Sequence, residues 1–144
     1  MKPPVVKLLA DSNVWVAAFA TRGLCADLLR LSLRRHGRAG FELLTCAALR
    51  EETLRILRDK FGAPAATLGD VHTAMAMARE VPPADWQPPV DFPDPDDVPI
   101  VGAALASGAD LLVTGDRALL ALERIEGLAI VAPRAAYQRL LDLT

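Results

Sequence analysis

The fold is decided by two segments, VVKLLAD at residues 5–11 and ADLLVTGD at residues 109–116. Each is a short apolar run that ends at a carboxylate. Val5 to Ala10 lies between Pro4 and Asp11 and is too short for an ordinary helix, so it is expected to form a buried strand. Asp110 to Thr114 reads the same way, and Asp116 follows two residues later. Strands so uniformly apolar need cover on both faces, which favours a parallel sheet flanked by helices.

Working outward, the chain alternates between the two periods. Asp27 to Arg38 sets Leu28, Leu29, Leu31 and Leu33 among arginines, an amphipathic helix closed by Gly37 and Gly40. Phe41 to Thr45 is a second strand. Ala47 to Phe61 is a helix that stops at Gly62, and Ala65 to Glu80 is another, opened by Pro64. Met75 and Met77 are read as gap fillers between helices. Then the composition breaks. Prolines at 82, 83, 88, 89, 93, 95 and 99 forbid a continuous helix, and residues 80–97 hold six acids and no base. This stretch is expected to be an ordered connection with one short strand near Pro89 to Phe92. Past it come a helix at Pro99–Ser107, the strand at 110–114, a short helix at Arg117–Leu122, a strand at Leu128–Val131 and a closing helix at Pro133–Leu143. The alternation predicts an α/β fold: a three-layer α/β/α sandwich around a mainly parallel sheet of four or five strands. One domain is expected over 1–144, with the Pro/Asp-rich connection at about 82–99.

Composition narrows the function. A chain of 144 residues that is 52% hydrophobic fills one core, and a net charge of −2 excludes a globally basic coat for nucleic acid. Two cysteines, Cys25 and Cys46, cannot build a closed Cys-only metal site or a disulfide scaffold. The first ten residues lack the apolar core of a signal peptide, so a cytoplasmic location and no membrane partner are expected.

Four acids fall where chemistry would want them. Asp11 and Asp116 follow strands, and the carboxyl ends of parallel strands are where ligands bind. Glu52 lies in the helix after the second strand, favoured over Glu51 by helical phase with Leu49 and Ile56. Asp97 opens the small-residue helix, where it is also a good cap. Four carboxylates drawn together would repel unless a cation sat between them, and oxygen ligands suit Mg²⁺ or Mn²⁺. Such an ion activates water and offsets charge at a phosphodiester, which makes metal-dependent hydrolysis the expected chemistry. Ser12, Asn13 and Thr114 are placed to support the strand-end acids, and Asp94 and Asp96 belong with Asp97 to one charge run, their separate roles open. Gly115 is expected to permit the turn carrying Asp116. His36 and His72 lack zinc spacing and are read as surface or helix-face residues. Residues 22–60 carry nine Lys/Arg against five Asp/Glu, so Arg30, Arg34, Arg35 and Arg38 are candidates for an RNA-binding ridge beside the acids.

These motifs resemble the PIN-domain nucleases. VVKLLADSNVWVAA is similar to the family's first strand and Asp-Ser/Thr-Asn, and ALREETLRIL resembles its helix bearing the second acid. DPDDVPIVGAALASGADLLVTGD resembles its third acidic motif, helix, strand and final Thr-Gly-Asp. The branch suggested is the toxin components of bacterial toxin–antitoxin pairs, the VapC-like ribonucleases. The resemblance implies Mg²⁺ or Mn²⁺ held by Asp11, Glu52, Asp97 and Asp116, and hydrolysis of single-stranded RNA. It also implies a homodimer and a small antitoxin protein as partner. The Pro-rich loop 82–99 departs from the pattern.

The alternatives are a haloacid-dehalogenase-like phosphomonoesterase and a non-catalytic RNA-binding or regulatory domain of the same fold. The first normally needs a second acid two residues after its nucleophile, where this chain has Asn13.

Overall fold

In the computed structural model, residues 5–38 and 40–143 are described. The strands are β1 (Val6–Ala10), β2 (Phe41–Thr45), β3 (Arg79–Glu80), β4 (Leu111–Val113), β5 (Arg124–Ile125) and β6 (Leu128–Val131). They form one sheet in the order β3-β2-β1-β4-β6-β5. Every pairing is parallel except the β5–β6 hairpin at one edge. The helices are α1 (Ser12–Ala20), α2 (Leu24–Arg35), α3 (Ala47–Phe61), α4 (Ala65–Met77), α5 (Val98–Ala106), α6 (Arg117–Leu120) and α7 (Pro133–Leu141).

The central strands β1, β2 and β4 are buried almost throughout, with Leu8, Leu9, Leu43, Leu44, Leu112 and Val113 fully enclosed. Leucine side chains on both faces of a strand are stable only where helices remove both from water, at about 25 cal/mol for each Å² of apolar surface buried. β1 therefore sits at the middle of the molecule, and Asp11 leaves it at the carboxyl end of the most buried part of the sheet.

The sheet has six strands rather than four or five, because both edges carry a two-residue strand too short and polar to leave a pattern in the sequence. β3 takes the end of the segment expected to finish α4, which stops at Met77. Arg79 pairs with Glu42 at 3.1 Å and Glu80 with Arg50, so charged side chains hold this edge. β5 is the other unforeseen strand. The strand expected near Pro89–Phe92 does not form; prolines there supply no ladder donor. α2 is displaced three residues toward the amino terminus, beginning at Leu24. α3 keeps its expected bounds and ends on Gly62 in the left-handed conformation at φ 59°.

Residues 81–97 form a strap. It leaves β3 at one edge of the sheet, crosses α5 and reaches the opposite edge, where the Trp86 indole N–H donates to Glu126 at 3.1 Å. Trp86 meets Phe92 edge-on, with centroids 5.3 Å apart. A Cβ built on Gly102 of α5 would stand 3.1 Å from the Trp86 Cβ, so the missing side chain lets the strap lie close. Trp86 thus anchors the loop. The strap returns through a 3₁₀ turn at Pro95–Asp97 into α5, and so delivers Asp97 over the strand ends.

Candidate metal centre

Asp11 is 3% exposed and ends β1 in extended conformation, its carboxylate facing back over the start of α1. One oxygen accepts the Ser12 N–H at 2.8 Å; the other accepts the Asn13 amide at 3.2 Å and the Thr114 hydroxyl at 2.9 Å. The Asn13 amide also donates to Thr114 Oγ1 at 3.0 Å, and Asn13 Oδ1 accepts the Gly115 N–H at 2.8 Å. Asn13 thereby ties the loop after β4 to the start of α1. Gly115 contributes this N–H, and its φ is not positive, so the turn does not need the freedom of glycine. Burial raises the Asp11 pKa, aided by the charge of Asp116; the hydrogen bonds oppose the rise.

Across from this corner the carboxylates lack such support. Glu52 comes from the second turn of α3, and its Oε2 is buried without a hydrogen-bond partner. Burial raises its pKa, and Asp11 and Asp96 add to the rise, while the Ser12 side chain and Arg55 oppose it. Asp97 is 9% exposed. Its carboxyl is pushed up to about 7 by burial first, then by the charges of Asp11, Asp94, Glu52 and Asp116. One ligand oxygen from each of Asp11, Glu52 and Asp97 lies within 4.8 Å of the others. Residues 11, 52 and 97 are brought together from three separate elements.

Asp116 stands beside this triad rather than in it. Its Oδ1 accepts N–H groups of Ala118 and Leu119 at 2.8 and 3.3 Å, capping α6, while its own N–H donates to Thr114 Oγ1 at 3.1 Å. It is close enough for its charge to raise both Asp11 and Asp97. Asp94 caps the 3₁₀ turn through the Asp96 N–H at 2.9 Å. Asp96 instead lines an open groove of about 410 Å³ with Ala48, Glu51, Glu52, Arg55 and Ile100. The sequence left these two acids undivided; the structure gives Asp94 the local bond and Asp96 the groove.

The arginines of α2 lie elsewhere. β1 and β2 run side by side with Val6 opposite Phe41, and Arg38 bridges to Phe41, so the end of α2 meets the amino ends of the strands. Five residues of strand, about 17 Å, separate that level from Asp11. Arg35 donates to the Leu140 carbonyl at 2.8 Å, and Arg30 pairs with Asp27 at 3.4 Å. Arg34 and Arg38 are exposed at the same far end. The ridge therefore does not border the acids. Helical periodicity gave its face but not which end of the sheet it would meet. His36, read from the sequence as a surface or helix-face residue, ties the end of α2 to β2, its Nδ1 accepting the Leu43 N–H at 2.9 Å. The basic residue that sequence reasoning missed is Arg55, one turn after Glu52; that spacing was the available signal.

The donor set suits a hard divalent cation. It offers carboxylate oxygens only, and the Glu52 Oε2 is a buried acceptor without a hydrogen-bond partner among the described residues. Mg²⁺ or Mn²⁺ bound by Asp11, Glu52 and Asp97 would offset the burial of three carboxylates and the repulsion that adds to their raised pKa values. In comparison with known families, the chain matches the PIN domain over residues 7–118, a span that includes all four acids. None of the curated proteins compared with the chain matches it.

Proposed function

We propose, from the premise that the chain belongs to the PIN-domain family, that it is a divalent-metal-dependent endoribonuclease cutting phosphodiester bonds of single-stranded RNA. The observation that carries this reading is the meeting of Asp11, Glu52 and Asp97 within 4.8 Å at the carboxyl end of the sheet. When bound there, Mg²⁺ or Mn²⁺ supplies an activated water and positive charge against the phosphodiester.

The chain's own residues hold the arrangement. Asn13 and Thr114 fix the plane of the Asp11 carboxylate, as outer hydrogen bonds orient metal ligands generally. Ser12 links the two sides, its N–H on Asp11 and its side chain acting on Glu52. Asp116 adds negative charge that favours cation uptake while fixing the loop after β4. A phosphomonoesterase with Asp11 as nucleophile finds no second acid at Asn13, whose amide is already committed to Asp11 and Thr114.

RNA as the substrate, the toxin role, a small antitoxin partner, a homodimer and a cytoplasmic setting rest on the resemblance to VapC-like ribonucleases. No helix among the described residues is long and apolar enough to cross a membrane. The test is incubation of end-labelled single-stranded RNA with the wild-type chain and Glu52→Gln, in Mn²⁺ and in excess chelator. Internal cleavage by the wild type in Mn²⁺, abolished by chelator and by the substitution, is the expected result. Phosphate release from small monoesters without internal cuts would replace the reading with the phosphatase, and neither activity would leave a binding domain.

A further inference from the structure

We propose that Arg55 is a substrate-binding residue: its guanidinium holds an RNA phosphate next to the scissile one, in the groove beside the acids. The inference rests on the nuclease reading and adds to it the cation that the α2 arginines do not provide.

The groove is lined by Ala48, Glu51, Glu52, Arg55, Asp96 and Ile100. Three carboxylates border it, so a polyanion entering it is repelled, and Arg55 is the one basic residue lining it among the described residues. The arginines before and after it on α3 are engaged: Arg50 with Glu80, and Arg58 with Asp59 at 2.9 Å. Arg55 makes no ion pair with any described residue, although Glu52 one turn before it and Asp59 one turn after it both feel its charge. A planar, permanently charged group left uncommitted at the mouth of a site is suited to bidentate phosphate contact. The half-buried methyl of Ala48 offers a small apolar surface for a sugar or base of the same nucleotide. A counter-ion for Glu52 is the competing role, and it predicts a different loss.

The experiment compares Arg55→Gln, Arg55→Lys and Arg58→Gln with the wild type in RNA cleavage at several salt concentrations, with Mn²⁺ affinity measured separately by calorimetry. Arg55→Gln is expected to raise KM about tenfold with kcat little changed, as fits the loss of one charge-assisted contact. The slope of log affinity against log salt should fall by about 0.7, one phosphate on a single strand. Arg55→Lys should restore the slope and part of the KM; Arg58→Gln should change neither; Mn²⁺ affinity should stay within about twofold in all three. Anisotropy of labelled RNA on the Asp97→Asn chain, with and without Arg55→Gln, reads the same contact without turnover. Unchanged KM and slope in a cleaving Arg55→Gln chain overturn the inference and leave the nuclease standing. A fall in Mn²⁺ affinity alone assigns Arg55 to Glu52 instead. A wild type that does not cleave RNA removes both readings together.

Discussion

The two sides of the acidic cluster are built on opposite plans. On the β1–β4 side, Asp11, Asn13, Thr114 and Asp116 satisfy one another through hydrogen bonds between strand-end loops, fixed by the fully buried centre of the sheet. On the α3–α5 side, Glu52 has a bare buried oxygen, and Asp97 arrives on a strap with its pKa pushed up to about 7 by burial first and then by its neighbours' charges. The first side is organised without a cation; the second is organised against itself until one binds. The contrast teaches where the metal acts on the protein: it should stabilise the strap side far more than the strand side.

Removing a carboxylate from the unsupported side should do the most damage to activity. Glu52→Gln is expected to lower Mn²⁺-dependent RNA cleavage by more than about a hundredfold, since loss of even an outer partner of a metal ligand costs about 10–100-fold. Steady-state cleavage at saturating RNA measures it, and equal rates would erase the difference between the two sides. The strand side should give a smaller effect. Thr114→Val leaves the Asp116 N–H and the Asn13 amide short of an acceptor and is expected to cost about 1–3 kcal/mol of stability by denaturant unfolding. Its Mn²⁺ affinity should fall about tenfold.

A pH series sharpens the contrast. Asp97 is raised above its unfolded pKa, so the folded metal-free chain binds the extra proton. Its stabilising contribution is fully present below the unfolded value near 3.8 and is lost as pH rises through about 7. Metal-free chain should therefore lose stability between those pH values, by at most about 4 kcal/mol from this group and less as solvent screens it, and Asp97→Asn should flatten the curve. Thermal unfolding in chelator across that range is the check; an equal slope in both chains would remove Asp97 as the source. The smallest effect is expected at the far end of the strap. Trp86→Phe keeps the ring against Gly102 and loses the bond to Glu126, a change of about 1 kcal/mol in stability, with cleavage within a few-fold of wild type.

How much of this was legible follows the same division. The buried strands and α3 were readable because apolar runs ending in Asp11, and helical phase ending at Gly62, are local signals. Strand-end geometry and the family resemblance together led to the expectation that Asp11, Glu52, Asp97 and Asp116 would meet; the first three, 41 to 86 positions apart in the chain, do converge, while Asp116 stands beside them. What escaped was set by tertiary register. The edge strands at Arg79–Glu80 and Arg124–Ile125 take their conformation from their neighbours, and the end of α2 meets the amino ends of the sheet for reasons no helical period contains. The path of the strap depends on a contact between Trp86 and Gly102 that neither residue announces.

The central claim is that Asp11, Glu52 and Asp97 together bind one kind of ligand, a divalent cation. Calorimetric titration of Mn²⁺ into the metal-free chain at neutral pH, in two buffers of different ionisation enthalpy, tests it most directly. The account predicts saturable binding with net proton release, because Asp97 is partly protonated before the ion arrives, and loss of that release in Asp97→Asn. Absence of saturable binding, or binding with the same proton release in Asp97→Asn, would contradict it.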